Sequence, residues 1–349
     1  MNEVPTILIS SAGRRVYLVD WFREAFAALG LPGRVAVAEH DPTSAAAGAG
    51  DLARQLPLCT DPAYPAALLA LVRELRPRLF LSLNDHELDR LHGRTDLAAQ
   101  LRARGVLVPG LDRAWQRACA DKHEMTQMLG EIGVQVPVTV LGGDREGIAA
   151  LAARNDQLVV KHRRGSGSSG LVLVPAADDA ALEAALARAI RGAPPRGDGD
   201  ADADDVIVQP RLRGTEHGVD LVGDLRDPGT LRAVLARRKL RMRAGETDKA
   251  VTVAPGPFRL LAERLAAAGG LSGLIDLDVF LEEDGTATVV DINPRFGGGY
   301  PVMHLAGADV PRFCLAQAFG LPLEEGWQDY RAGTVCAKHE AVRVTGRIG

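Results

Sequence analysis

The stretch Gly273–Gly299, GLIDLDVFLEEDGTATVVDINPRFGGG, decides how this chain reads. Asp284-Gly285 between two apolar runs is a two-residue hairpin signal. With that loop Glu283 pairs with Thr286, which sets Asp278 opposite Asp291 and Asp276 opposite Asn293. Side chains alternate across a strand, so these four polar groups share one face. Leu277, Val279, Val290 and Ile292 fall on the other, apolar face. Like charges placed directly across a sheet repel. A hard cation offsets that repulsion, and Mg²⁺ takes one or two carboxylates together with phosphate oxygens. Asp278, Asp291 and Asn293 are therefore the expected metal ligands. Arg295, two residues on, can meet an anion held there. A solvated polar face is the plain alternative.

Upstream, the chain opens on the apolar run TILIS (6–10), followed by SAGRR and a helical stretch from Val16 to Leu29. Further strands are expected at 35–41, 78–83 and 105–109, with helices over 62–75 and 86–104. Strands alternating with helices imply a parallel, doubly wound sheet ending near residue 112. From 113 the pattern shifts towards α+β. A helix is expected over 113–130, strands at 156–162, 171–174 and 206–210, and a helix over 178–190. An antiparallel pair follows across 217–242, turning at DPG. Helices are expected over 257–268 and 311–319. The segment 192–205, GAPPRGDGDADADD, reads as a mobile, solvated loop.

RRGSGSSG lies between two strands. It is neither a P-loop nor a dinucleotide-binding turn, since both need a helix immediately afterwards. Its backbone N–H groups can still wrap phosphates, with Lys161 on the entering strand as a point charge. SAGRR lacks GxGxxG, which argues against a dehydrogenase.

Composition narrows the class. The chain has 349 residues, net charge −4, 46% hydrophobic and 25% charged residues. That suits roughly two soluble domains. No basic excess favours nucleic acid, and no apolar run reaches the roughly 20 residues of a membrane helix. The N-terminus carries no signal-peptide pattern, so a cytoplasmic protein is expected. Cys59, Cys119, Cys314 and Cys336 form no CxxC pair, and reduced thiols are the expectation. Only five of the 41 basic residues are lysines, Lys122, Lys161, Lys239, Lys249 and Lys338, which makes each a candidate for a specific task.

Taken in order, DKHEMTQMLGEIGVQVP, the strand lysine with its glycine-rich loop, QPRLRGTE, RMRAGETDKAVTVAP and VVDINPRFGGG resemble the ATP-grasp superfamily. The resemblance is nearest to single-module relatives of the carbamoyl-phosphate synthase large subunit, whose opening ISSAGRR resembles. It covers about residues 5–320. It implies an N-terminal Rossmann-like domain over 1–112 and a two-lobed ATP-grasp domain over 113–349, with 155–210 as a lid lobe. It implies ATP and Mg²⁺ as cofactors. Lys122 and Lys161 would contact ATP phosphates, and Ser166, Gly167, Ser168, Ser169 and Gly170 would cover them. Gln209, Arg211 and Leu212 would form the adenine hinge, and Glu216 would hold the ribose. Arg295, with Lys161, would be catalytic through an acyl phosphate. The family commonly has glutamate at the positions of Asp291 and Gln209, and glutamine or glutamate at that of Asp278.

The activity so implied is a carboxylate–amine ligase acting on small molecules. Lys239, Arg241 and Arg243 would face an acidic substrate, with Glu246, Gly298 and Gly299 beside it. Asn84, Asp85 and Glu87 end a parallel strand, where they either grip the amine or cap the next helix. A carbamoyl-phosphate-synthase-like subunit and a non-catalytic ATP-binding regulator remain alternatives. No nucleic-acid or membrane partner is expected, and a homodimer stays open.

Overall fold

The computed structural model describes residues 4–93, 96–165, 170–195, 199–243 and 245–345. The first domain contains β1 (Thr6–Ser10), α1 (Val16–Ala28), β2 (Arg34–Glu39), β3 (Leu52–Gln55), α2 (Tyr64–Leu75), β4 (Leu79–Ser82), α3 (Asp85–His92) and α4 (Leu97–Arg102). Its four strands are parallel in the order β3-β2-β1-β4. β1, β2 and β4 are buried throughout or nearly so, which is why they read as unbroken apolar runs. β3 is half exposed and carries no such run, so the sequence did not reveal it. The strand expected at 105–109 reduces to a single parallel bridge between Leu107 and Leu79. The helix expected over 86–104 is two helices, interrupted at Gly93, with Asp96 capping α4 through the Ala99 N–H.

The second part begins with α5 (Arg113–Ala118) and α6 (Lys122–Glu131), expected as one helix. Asp121 divides them by capping α6, its carboxylate accepting from the His123 and Glu124 N–H groups. A lobe follows, made of β5 (Val140–Leu141), α7 (Arg145–Ala152), β6 (Gln157–His162), β7 (Val172–Pro175), α8 (Asp179–Gly192) and β8 (Val206–Pro210). Its antiparallel sheet runs β5-β8-β6-β7. The sheet of this lobe includes β5, which precedes the expected start at 155. The low-complexity segment ends in order: Asp205 is buried and accepts a hydrogen bond from the Asp202 N–H.

The remaining strands are β9 (Thr215–Gly223), β10 (Leu231–Arg243) and β11 (Glu246–Val253). After α9 (Arg259–Gly269) come β12 (Gly273–Leu281), β13 (Ala287–Asn293), α10 (Tyr300–Ala306), α11 (Val310–Phe319) and β14 (Val335–Ala337). They form a six-stranded sheet, β13-β12-β9-β10-β11-β14. α10 and α11 return to the first domain. Phe296, Tyr300, Phe313 and Leu315 share one core with Ile7, Ile9, Leu18 and Phe22. α2 and α4 cover the opposite face of the parallel sheet. The doubly wound layer is therefore completed by the C-terminal end of the chain, and this packing brings the glycine turn at 297–299 beside the first domain. Among the described residues, no helix is long and apolar enough to cross a membrane.

Candidate active site

A cleft of about 670 Å³ lies where the parallel sheet, the lobe and the six-stranded sheet meet. The hairpin β12–β13 forms its floor. Asp276 lies opposite Asn293 and Asp278 opposite Asp291, the pairing expected from the sequence. The route to that pairing differs. Glu282 and Thr286 close the turn around three residues, Glu283 to Gly285, with Gly285 at φ +87°. Nearer the turn the register is shifted by one residue, and a bulge between Asp278 and Val279 restores it at the carboxylates. The bulge also exchanges two valines. Val289 is buried in the core, while Val290 lines the cleft.

Lysines hold these carboxylates. Lys239 Nζ, on β10, lies 2.7 Å from Glu216 Oε1 and 2.5 Å from Asp278 Oδ1. Lys122 Nζ lies 3.6 Å from Asp291 Oδ2 and donates to the Gly165 carbonyl at 2.6 Å. Burial pushes the Asp278 carboxyl up to about 6 despite Lys239, with Asp276 and Asp291 adding repulsion. Lys161, on β6, lines the cleft without a carboxylate in ion-pair range among the described residues. Burial lowers its ammonium to about 8, and the neighbouring Lys122 charge adds to that. Asp121 fixes the start of the glycine-serine segment. It accepts from Arg163 Nε at 2.7 and 2.8 Å and from Arg164 Nη2 at 3.1 Å.

The oxygens expected to serve a cation, those of Asp278, Asp291 and Asn293, face one another across the hairpin and line the cleft. Among the described residues no group of three or more histidine, cysteine or acidic side chains is placed to hold a metal ion by itself. Two facing carboxylates and one amide oxygen, open to a cleft, suit a hard ion that keeps water and phosphate oxygens in its remaining positions.

The other expected residues divide. Gln209 is buried, donates to Thr139 Oγ1 at 2.8 Å and lines the cleft together with Arg211, Leu212 and Glu216. Gly170, at φ +71°, lies against His162, where a Cβ would come within 2.1 Å of Nε2. Ser166, Gly167, Ser168 and Ser169 lie outside the described residues. Glu246 pairs with Lys338 at 2.8 Å, and Gly298 and Gly299 line the cleft beside it.

Two expected substrate residues lie apart from the cleft lining. Arg241 pairs with Asp248 and Arg243 with Glu340, and neither lines the cleft. Register shifts on either side of Arg241 break the alternation that would have grouped both with Lys239, and Met242 reaches the cleft instead. Lys239 itself is committed to Glu216 and Asp278. In the first domain, Asn84 caps α3 through the His86 and Glu87 N–H groups. Glu87 is buried, accepting from Ser10, Tyr64 and Ser82. Of the two alternatives read from the sequence, Asn84 takes the helix cap, although it also lines the cleft, and Glu87 is turned into the core. Asp85 does reach the cleft, where it pairs with Arg295.

Sequence reasoning missed Arg15. It stands just beyond β1 in the SAGRR segment, lines the cleft and donates through Nη1 to the Leu83 carbonyl at 2.7 Å. The carboxyl edge of a parallel sheet is where ligands of such sheets bind, so its position was the available signal.

Two family models match the chain: the ATP-grasp domain over residues 119–299, and the PylC-like N-terminal domain over 7–106. The chain belongs to the ATP-grasp family, a fold of ATP-dependent ligases. No curated protein matches it in sequence. Among solved structures it resembles the biotin carboxylase domain of Hydrogenobacter thermophilus 2-oxoglutarate carboxylase, in complex with MgADP, ADP and bicarbonate. That match has 16% identity and a TM-score of 0.69, covering 96% of this chain and 74% of the other. It also resembles the L-amino acid ligase of Bacillus licheniformis, at 18% identity and TM-score 0.67, covering 96% and 79%. Staphylococcus aureus N5-carboxyaminoimidazole synthetase complexed with ADP matches at 14% and TM-score 0.67, covering 93% and 80%. At these identities the likeness is one of fold.

Proposed function

We propose that the chain is an ATP-dependent carboxylate–amine ligase. A substrate carboxylate oxygen attacks the γ-phosphorus of ATP, the bond to the ADP oxygen breaks, and an acyl phosphate forms. The nitrogen of an amine then attacks the acyl carbon, phosphate leaves, and the amine loses a proton to give a C–N bond. One observation carries this reading: Lys122 and Lys161, from separate elements, converge with the Asp278–Asp291 pair and Arg295 on a single cleft.

The parts suit the task. Phosphoryl transfer needs positioning and charge neutralisation more than covalent help. Lys161 has no carboxylate partner among the described residues and is free to take a phosphate. Asp278, Asp291 and Asn293 would hold Mg²⁺, which supplies charge neutralisation to the phosphates when bound. Glu216, Gln209, Arg211 and Leu212 would line the nucleoside end. Arg295 would steady the carboxylate as it becomes phosphorylated. The family membership and the nucleotide-bound structural neighbours support the same assignment.

A screen for ADP release over pairs of carboxylic acids and amines, amino acids included, tests the proposal. Acid-dependent ADP release, with product formed only when the amine is added, is the expected result. Binding of ATP without turnover in any pair would favour a nucleotide-binding regulator instead.

A further inference from the structure

Arg15 is a cleft cation that the ligase chemistry above leaves unused. The charge of Arg295 disfavours its cationic form, while Glu246 and Asp85 favour it. The two arginines differ in how they are satisfied. Arg295 is neutralised by both carboxylate oxygens of Asp85. Arg15 has no carboxylate in ion-pair range among the described residues, and the carbonyl of Leu83 is its hydrogen-bond acceptor. Burial and the Arg295 charge both press its pKa down, so the position costs the protein free energy. A guanidinium offers five donors in a rigid fork matched to a carboxylate, and here most of that fork is unclaimed.

Its place sets which carboxylate it can meet. The charged groups around Lys161 are Asp291, Lys122 and Asp278. The groups around Arg15 are Arg295, Tyr17, Glu246 and Asp85. Arg15 is anchored at the Leu83 carbonyl, at the end of β4 in the first domain, whereas Lys122 faces Asp291 on the hairpin. Arg295 joins the two ends, pairing with Asp85 of the first domain and donating to Asn293 Oδ1 on the hairpin. A carboxylate being phosphorylated belongs with Arg295 and the lysines. An anion on Arg15 lies on the far side of Arg295, against the first domain.

Resting on the ligase reading, we propose that Arg15 binds a second, non-reacting carboxylate of the substrate pair, making the enzyme selective for substrates that retain a free carboxylate. That group can belong to the activated acid, as in a dicarboxylate, or to the amine, as in an amino acid with a free α-carboxylate.

The test uses the full chain, Mg-ATP and matched panels. One arm offers dicarboxylic acids against their half-amides, with a fixed amine. The other offers amino acids against their α-carboxamides, with a fixed acid. ADP release and thermal-shift binding in the presence of a non-hydrolysable ATP analogue are read in both. In one arm the free carboxylate is expected to raise kcat/KM by roughly 10- to 100-fold, the scale of a lost charged hydrogen bond. Arg15→Gln should abolish that preference, chiefly through KM, while ATP-analogue binding stays unchanged, and Arg15→Lys should restore part of it. The arm that shows the preference identifies which substrate carries the group. A purely structural Arg15 would lower activity on carboxylate and carboxamide alike, leaving their ratio intact, and that result overturns the proposal. So does the absence of a carboxylate preference in both binding and turnover. Failure of the ligase reading is distinct: the nucleotide analogue binds but no pair releases ADP.

Discussion

Arg295 and Asp85, 210 residues apart in the chain, form a two-pronged ion pair across the cleft, with Nε–Oδ1 at 2.6 Å and Nη2–Oδ2 at 2.8 Å. The arginine assigned to the reacting carboxylate is thus oriented by an aspartate of the first domain. Nη2 also lies 3.3 Å from Asn293 Oδ1, which ties this pair to the proposed metal ligands.

Replacing Arg295 by lysine keeps one charge and loses the planar fork. We expect affinity for a non-hydrolysable ATP analogue to stay within a few-fold, and turnover to fall by on the order of 10². Isothermal titration beside a phosphate-release assay separates the two. Lost nucleotide binding in a folded variant would move Arg295 onto ATP.

Asp291→Ala removes one of the two facing carboxylates. The fold should persist, as judged by circular dichroism, because Asp291 is only partly buried and its neighbour Lys122 retains the Gly165 carbonyl. Turnover should be nearly abolished through misplacement of the γ-phosphate. Wild-type rates would remove the metal assignment.

Lys161 gives a pH signature. Burial holds its ammonium near 8, below the ordinary lysine value of about 10.4. A bound phosphate favours the charged form and raises that pKa. Binding ADP should therefore take up a proton from about pH 8 upward, fading towards 10, and take up none from Lys161 well below 8. Titrations in two buffers of different ionisation enthalpy, at about pH 6.5 and pH 8.5, measure it. Lys161→Met should erase the difference; an unchanged uptake in that variant would exclude Lys161 as its source.

Arg237 is fully buried between Asp220 and Asp276 beneath the glycine turn. Arg237→Met leaves both carboxylates uncompensated and should cost about 3–5 kcal/mol in urea unfolding. The same packing forbids a side chain above it: a Cβ on Gly299 would come within 2.2 Å of Arg237 Nε. Gly299→Ala should destabilise and reduce turnover together. A neutral result in both variants would show that the triad is not what supports the turn.

The sequence by itself determined the facing carboxylates, because period-two alternation and a glycine turn are local. It did so although the loop holds three residues, since the bulge after Asp278 returns the register that a two-residue loop would have set. The buried strands β1, β2 and β4, and Lys161 on its strand before the glycine-rich loop, were legible for the same local reasons, whereas Lys122 was indicated only by the family resemblance. Tertiary structure decided the rest. The bulges in β10 turned Arg241 and Arg243 away from the site, and nothing in RRKLRMR marks them. Asp85 meets Arg295, and Arg15 comes beside them, only because α10 and α11 fold back to complete the first domain's helix layer. Such contacts are set by which apolar faces bury one another across some 200 residues of chain, and no spacing within a single segment encodes that.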